Sequence, residues 1–274
     1  MSEIILATAN THFGRMTRSV DGLQPIAHAD ILTLQEQRDP EADKLQVQLD
    51  RNDFTLVHAA GRYGLAMAIR TGSSLAVVPG SQRQEMLKGM NGVERRLKKR
   101  GSRLAGNLPE RGIIAVQFIA PEGPLSIATA HPLPPLRRRS RNTQIGRVGL
   151  ALADPYYNGN LIVAGDWNHY PAARLADIAM RQSAQLSTVD IGSEPTWGFR
   201  GLHQEWAARA VSMVAHPSRE NLSNRGEQYL DSYDGQLDAV LYRGDLQCTG
   251  AEVVSIESDH RAIVATFELA QAPF

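Results

Sequence analysis

The stretch Leu161-Ile162-Val163-Ala164-Gly165-Asp166-Trp167-Asn168 constrains the fold more than any other. Its first four residues form an unbroken apolar run, two of them β-branched, which is the pattern of a strand covered on both faces. Gly165 is expected to end that strand. Asp166 and Asn168 follow two residues apart, and in extended chain residues i and i+2 project to the same side. A core strand that delivers a carboxylate and a carboxamide together can orient a water with one group and hold an oxygen anion with the other. An ordinary turn has the same composition, because Gly, Asp and Asn are all common turn residues. The rest of the chain has to decide between the two readings.

Several other segments repeat the design. Glu3 to Ala9 reads as a short apolar strand ending at Asn10-Thr11-His12, and Asp30 to Glu36 as a buried strand finishing on a carboxylate. Leu125 to Ala130 is a strand that ends at His131, Leu237 to Arg243 carries Asp238, and Ser258-Asp259-His260 leads into a last strand over Arg261 to Leu269. Between them lie strands over Phe54 to Ala60, Leu65 to Arg70, Ser74 to Val78 and Gly112 to Ala120, with a shorter one over Val253 to Glu257. Val20 to Ala29 reads as partly helical. Asp39-Pro40-Glu41 makes a good helix start, since Asp caps, Pro suits the first turn and Glu favours the positive end of the dipole; this helix is expected to reach about Asp50. Further helices are expected from Arg137 to about Ala153, from Pro171, and from Leu202 to Ala215, where Pro217 ends the last. Many short strands with few helices, no repeats and no linker argue for one α/β domain spanning residues 1–274.

Composition narrows the function. A formal net charge of zero excludes polyanion binding by bulk charge, so any such role needs local patches. Two basic segments qualify: Arg95, Arg96, Lys98, Lys99, Arg100 and Arg103 within the polar stretch Ser81 to Glu110, and Arg137, Arg138, Arg139 and Arg141. Such runs are usually solvated faces or loops; the functional alternative is contact with a phosphate backbone. The single cysteine, Cys248, allows no internal disulfide, which fits a cytoplasmic setting. No apolar run approaches the ~18–20 residues that span a bilayer, and the N-terminus lacks a signal-peptide pattern.

When several strands of one sheet end in polar residues at one edge, their loops build a site. Carboxylates and carboxamides are hard oxygen donors that suit Mg²⁺ or Mn²⁺, and the histidines lack zinc-like spacing. Taken singly, Glu36 is an ordinary surface carboxylate, His131 a turn residue before proline, Asp238 a loop cap, and Asp259-His260 an exposed pair. Taken together, Asn10, Leu34-Gln35-Glu36, His131 after Ala128-Thr129-Ala130, Gly165-Asp166-Trp167-Asn168, Gln236-Leu237-Asp238 and Ser258-Asp259-His260 resemble, in order and spacing, the endonuclease/exonuclease/phosphatase superfamily. Pancreatic-type deoxyribonucleases, exonuclease III-like repair enzymes, neutral sphingomyelinases and inositol-polyphosphate phosphatases belong to it. The resemblance implies a four-layer sandwich: two mixed sheets face to face, helices outside, and the site at one sheet edge.

It also implies roles. Glu36 would be the main metal ligand, with Asn10 and Asp259 beside it, and the metal would polarise phosphorus. Asp166 would orient or deprotonate the attacking water, and Asn168 would hydrogen-bond a phosphate oxygen. His260, held by Asp238, would stabilise the transition state or shuttle a proton, and His131 would be a second imidazole on the phosphate. Arg111, just before a strand, would contact phosphate. His131 resembles the deoxyribonuclease and sphingomyelinase branch, where exonuclease III-like enzymes carry Tyr. His12 departs from the usual Asn-x-Asn or Asn-x-Asp, leaving open whether the site takes one metal or two. Trp197 resembles the family's Thr-Trp loop and suits packing. The expected activity is hydrolysis of phosphodiester bonds in nucleic acid by a monomer using Mg²⁺ or Mn²⁺. The alternatives are a small or lipid phosphoester as substrate, or a non-catalytic phosphate-binding module.

Overall fold

A strand that reads as an unbroken apolar run needs cover on both faces, and two stacked sheets flanked by helices provide it. The computed structural model describes residues 3–11, 21–37, 42–61, 64–87, 112–132, 138–157, 159–167, 181, 184–191, 196, 238–258 and 260–270. Its strands in chain order are β1 (Glu3–Asn10), β2 (Ile31–Gln35), β3 (Phe54–Ala60), β4 (Leu65–Arg70), β5 (Ala76–Val77), β6 (Arg83–Met86), β7 (Gly112–Ala120), β8 (Gly123–Ala130), β9 (Asn160–Asp166), β10 (Ser187–Thr188), β11 (Asp238–Arg243), β12 (Leu246–Val254) and β13 (Ala262–Leu269). Two α-helices are described with them, α1 (Ala42–Arg51) and α2 (Arg138–Leu152). A six-stranded sheet runs β12-β13-β1-β2-β4-β3, and a seven-stranded sheet runs β10-β11-β9-β8-β7-β5 with β6 also paired to β7.

Each sheet is mixed, and its one parallel pair lies near the middle: β1 with β2, and β8 with β9. Side-chain alternation then sorts the layers. Ile4 and Leu6 of β1, Ile31 of β2, Leu125 and Ile127 of β8, and Ile162 and Ala164 of β9 meet in the core between the sheets. The intervening residues face outward: Ala7, Ala9, Leu32 and Leu34 pack under Leu45 and Leu49 of α1. Ala128, Ala130, Leu161 and Val163 pack under Ile145, Val148 and Leu152 of α2. This is the four-layer α/β sandwich, with helix, sheet, sheet and helix in succession.

The inward face changes chemistry along each central strand. Continuing the inward parity past the apolar residues reaches Thr8 and Asn10 on β1, Thr33 and Gln35 on β2, Thr129 and His131 on β8, and Asp166 on β9, all buried. Because parallel strands end on the same side, these polar positions collect at one edge of the sandwich. The antiparallel neighbours begin there. Asp238 opens β11 directly opposite Asp166 of β9, and His260 lies just before β13, the antiparallel partner of β1.

The structure departs from the sequence reading mainly at sheet edges. β12 begins at Leu246, well before the expected Val253; it is an edge strand, mostly exposed, with a register shift between Cys248 and Gly250. β6 lies in the polar stretch expected to be loop, pairs along β7 and exposes most of its residues, and the short β10 was not anticipated. An edge strand covered on few sides carries little apolar periodicity, so its neighbour's backbone rather than its own side chains defines it. β9 also continues through Gly165 to Asp166 instead of stopping at the glycine. The helices expected from Pro171 and over Leu202 to Ala215 lie outside the described residues. Among the described residues, no helix is long and apolar enough to cross a membrane.

Candidate active site

The carboxylate of Asp166 is the hub of the polar edge. Its Oδ2 accepts a hydrogen bond from Asn10 Nδ2 at 3.0 Å, lies 3.1 Å from His131 Nε2 and is 3.9 Å from His260 Nε2. The same His131 Nε2 is 3.8 Å from Glu36 Oε1. His260 Nδ1 is hydrogen-bonded to Asp238 Oδ2 at 2.8 Å. Asn10, Glu36, His131, Asp166, Asp238 and His260 thus form one continuous cluster drawn from both sheets. Asn168, Asp259 and Arg111 lie outside the described residues, as do His12, Trp197 and the basic segment 95–103.

Local backbone chemistry explains the approach. Gly165 has φ of +151°, and a Cβ built there would lie 2.1 Å from the carbonyl oxygen of Ala130. Only glycine lets β9 come this close to the end of β8, and that approach places Asp166 against His131. The buried indole of Trp167 donates from Nε1 to the Ala239 carbonyl at 3.1 Å, which ties the end of β9 to the start of β11. Glu36 has φ of +60°, a left-handed conformation that costs a non-glycine residue about 1–2 kcal/mol. The turn directs its carboxylate toward His131 after a strand whose last inward residue is Gln35.

Burial sets the electrostatics. Loss of solvent raises the Asp238 carboxyl to about 6, against the opposing pull of the His260 imidazole and its hydrogen bond; nearby Asp166 adds to the rise. With Nδ1 engaged by Asp238, the His260 ring presents Nε2 to the cluster. The Asp238, Asp166 and His260 donor atoms lie within 4.8 Å of one another, close enough to hold an ion. Asp238 Oδ2 and His260 Nδ1 are already bonded to each other, while Asp238 Oδ1 is buried with no hydrogen-bond partner among the described residues. Glu36 is the carboxylate of the cluster most open to an incoming ion: its side chain is 14% exposed, against 3% for Asp166 and 1% for Asp238. Three carboxylates and an amide gathered at one edge are a hard-oxygen donor set, which fits Mg²⁺ or Mn²⁺.

The structure adds residues that the sequence reading passed over. Thr196 is fully buried; its Oγ1 accepts the Asp238 N–H at 3.1 Å, and its carbonyl accepts the Arg261 N–H at 2.7 Å, so it joins the starts of β11 and β13 behind the Asp238–His260 pair. Its one signal in the sequence was its place beside Trp197. Gln35 donates from Nε2 to Thr8 Oγ1 at 3.1 Å and, across the sandwich, to Thr129 Oγ1 at 3.0 Å. It joins the two sheets beneath the site, and its inward parity after Ile31 and Thr33 was the available clue.

Comparison with known proteins agrees with this architecture. An endonuclease/exonuclease/phosphatase protein from Bacteroides vulgatus superposes with a TM-score of 0.66 at 12% identity, covering 98% of this chain and 100% of that one. D. rerio TDP2 complexed with single strand DNA product gives 0.67 at 14% identity, with coverage of 98% and 100%. The human Nocturnin catalytic domain with bound sulfate anion gives 0.64 at 17% identity, with coverage of 98% and 95%. No curated protein sequence matches the chain. The profile of the Endonuclease/Exonuclease/phosphatase family matches residues 7–260, nearly the full length, and the chain therefore belongs to that family of nuclease and phosphatase hydrolases.

Proposed function

We propose that this chain is a divalent-metal-dependent phosphodiesterase that cleaves nucleic acid, acting as a single-domain monomer. The observation that carries the reading is the convergence of Glu36, His131, Asp166 and the Asp238–His260 pair on one edge of the sandwich. Glu36 and Asn10 would hold Mg²⁺ or Mn²⁺, with Asp259 beside them; bound there, the cation neutralises phosphoryl oxygens and makes phosphorus more electrophilic. Asp166 orients the attacking water and takes its proton. Asn10, by donating to Asp166 Oδ2, holds the carboxylate in place for that step. His260 offers Nε2 to a phosphoryl oxygen while Asp238 keeps its Nδ1 occupied, and His131 offers a second Nε2 from the other sheet. Asn168 and Arg111 are assigned as phosphate contacts from their sequence positions.

Nucleic acid is favoured as substrate by two features: TDP2, of the same fold, was crystallised with a single-stranded DNA product, and this chain carries two arginine-rich segments flanking strands that end at the site. Incubation of the purified chain with plasmid, single-stranded DNA and RNA, with Mg²⁺ or Mn²⁺ present or chelated, tests the reading. Metal-dependent cleavage is expected. Folded protein that leaves every nucleic acid intact but hydrolyses sphingomyelin, inositol phosphates or nucleotides would move the assignment to a small or lipid phosphoester, and no turnover on the whole panel would leave a phosphate-binding module.

A further inference from the structure

Glu36 alone among the described residues of the cluster has a left-handed backbone; the other non-glycine residues with positive φ, Asp53 and Gln185, lie in turns elsewhere. The φ and ψ of a residue are the relative orientation of the two peptide planes flanking it. Both planes flanking Glu36 are pinned. The Gln35 carbonyl, in the plane before it, accepts two hydrogen bonds from Thr11, one from the backbone N–H at 3.0 Å and one from the hydroxyl at 2.7 Å. The Gln37 N–H, in the plane after it, donates to the Gly64 carbonyl at 2.9 Å. The Gln37 side chain then closes the loop, donating from Nε2 to Thr11 Oγ1 at 2.7 Å. Thr11 and Gln37 are both buried, so water does not compete for these bonds.

We infer that Thr11 and Gln37 are positioning residues that hold Glu36 in its left-handed turn and so set the affinity of the site for a divalent cation. The inference rests on the reading of Glu36 as a metal ligand. The bonds run in one direction: the Gln37 amide donates to the Thr11 hydroxyl, which donates to the Gln35 carbonyl. Each acts on Glu36 through the backbone on either side of it. Without the clamp the turn relaxes toward the right-handed or extended regions that glutamate prefers, and the carboxylate swings away from His131. A preorganised ligand binds without that rearrangement, and partners that orient metal ligands are commonly worth 10–100-fold in affinity.

The test measures Mn²⁺ binding to the full chain without substrate, by calorimetry or electron paramagnetic resonance, with thermal melts confirming folding. Thr11→Val keeps shape and removes the hydroxyl, Gln37→Met keeps bulk and removes the donor, and Thr11→Ser restores the hydroxyl. Thr11→Val and Gln37→Met are expected to weaken Mn²⁺ by about 10-fold or more, with Thr11→Ser close to the parent. Parental affinity in folded Gln37→Met, or an equal loss in Thr11→Ser and Thr11→Val, overturns the inference; if Thr11→Val does not fold, Gln37→Met and Thr11→Ser decide. Glu36→Gln separates the two levels: if it too binds Mn²⁺ like the parent, the reading of Glu36 as a ligand is what has failed.

Discussion

Asn10, the last residue of β1, donates its side-chain N–H to Asp166, the last residue of β9, across 3.0 Å and 156 positions of chain. The bond joins the two sheets at the polar edge and shares its acceptor oxygen with His131. If Asp166 takes the proton of the attacking water, Asp166→Asn lowers kcat by about 10²–10⁴-fold at saturating metal, the usual scale of general base catalysis. Asn10→Ala costs less, roughly 10-fold, because the carboxylate survives but is no longer held. Initial rates on a defined oligonucleotide check both. Parental turnover in Asp166→Asn would remove that residue from the chemistry.

Asp238 links stability to pH in a direction opposite to that of a carboxylate whose pKa is lowered by folding. Burial raises its carboxyl from 3.8 to about 6, so in that range the folded protein holds a proton that the unfolded chain releases. Its stabilising contribution is complete below pH ~4 and lost as pH rises through about 6. Asp238→Asn carries no charge to bury, so it gains about 1–3 kcal/mol over the parent at pH 8 and little at pH 4. Urea unfolding at the two pH values reads this; an equal difference at both contradicts the burial argument.

The same titration shapes activity. His260 is held by ionised Asp238, so turnover rises with pH through about 6, a limb that belongs to the pair rather than to either residue. In Asp238→Asn this limb disappears and the rate is low throughout. A pH–rate profile at saturating substrate compares the two proteins, and an unchanged limb in the variant would place its origin elsewhere.

Gly165→Ala should be costly although it adds one carbon. The new Cβ would meet the Ala130 carbonyl at 2.1 Å, and the backbone cannot yield without separating β9 from β8. A loss of about 3 kcal/mol is expected, at the upper end for overpacking, with reduced activity in whatever fraction folds. Chemical denaturation measures it. Full stability would mean that β8 and β9 approach less closely than described.

Removal of divalent metal should abolish hydrolysis, and either Mg²⁺ or Mn²⁺ should restore it, because the donor set is carboxylate and amide oxygen. Full activity after exhaustive chelation, with metal content checked by mass spectrometry, would exclude the proposed use of Glu36.

The clustered residues differ in how visible they were. Asp166, His131 and Glu36 each follow an apolar run, so their strands could be read from periodicity and their positions at strand ends from the change to polar residues. Gln35 and Thr33 sit inside such a run: their shared parity with Ile31 can be read from the sequence, but what Gln35 meets on that face is fixed only by the partner sheet. Thr196 gave no periodic signal at all: its role depends on backbone groups of Asp238 and Arg261, which alternation of side chains does not encode. β12 and β6 escaped for a related reason, being edge strands paired through backbone with few buried side chains.

Taken alone, the amino-acid sequence determined which strands are buried on both faces, which strand ends are polar, and the order of motifs that marks the family. These properties are local: they depend on neighbours at i+2 or on residue type at a given position. Only the tertiary structure decided that Asn10 meets Asp166, that one imidazole stands between Glu36 and Asp166, and that Thr11 and Gln37 hold Glu36 in a left-handed turn. Those relations depend on the stacking of two sheets and on hydrogen bonds between residues far apart in the chain, and neither periodicity nor composition carries that information.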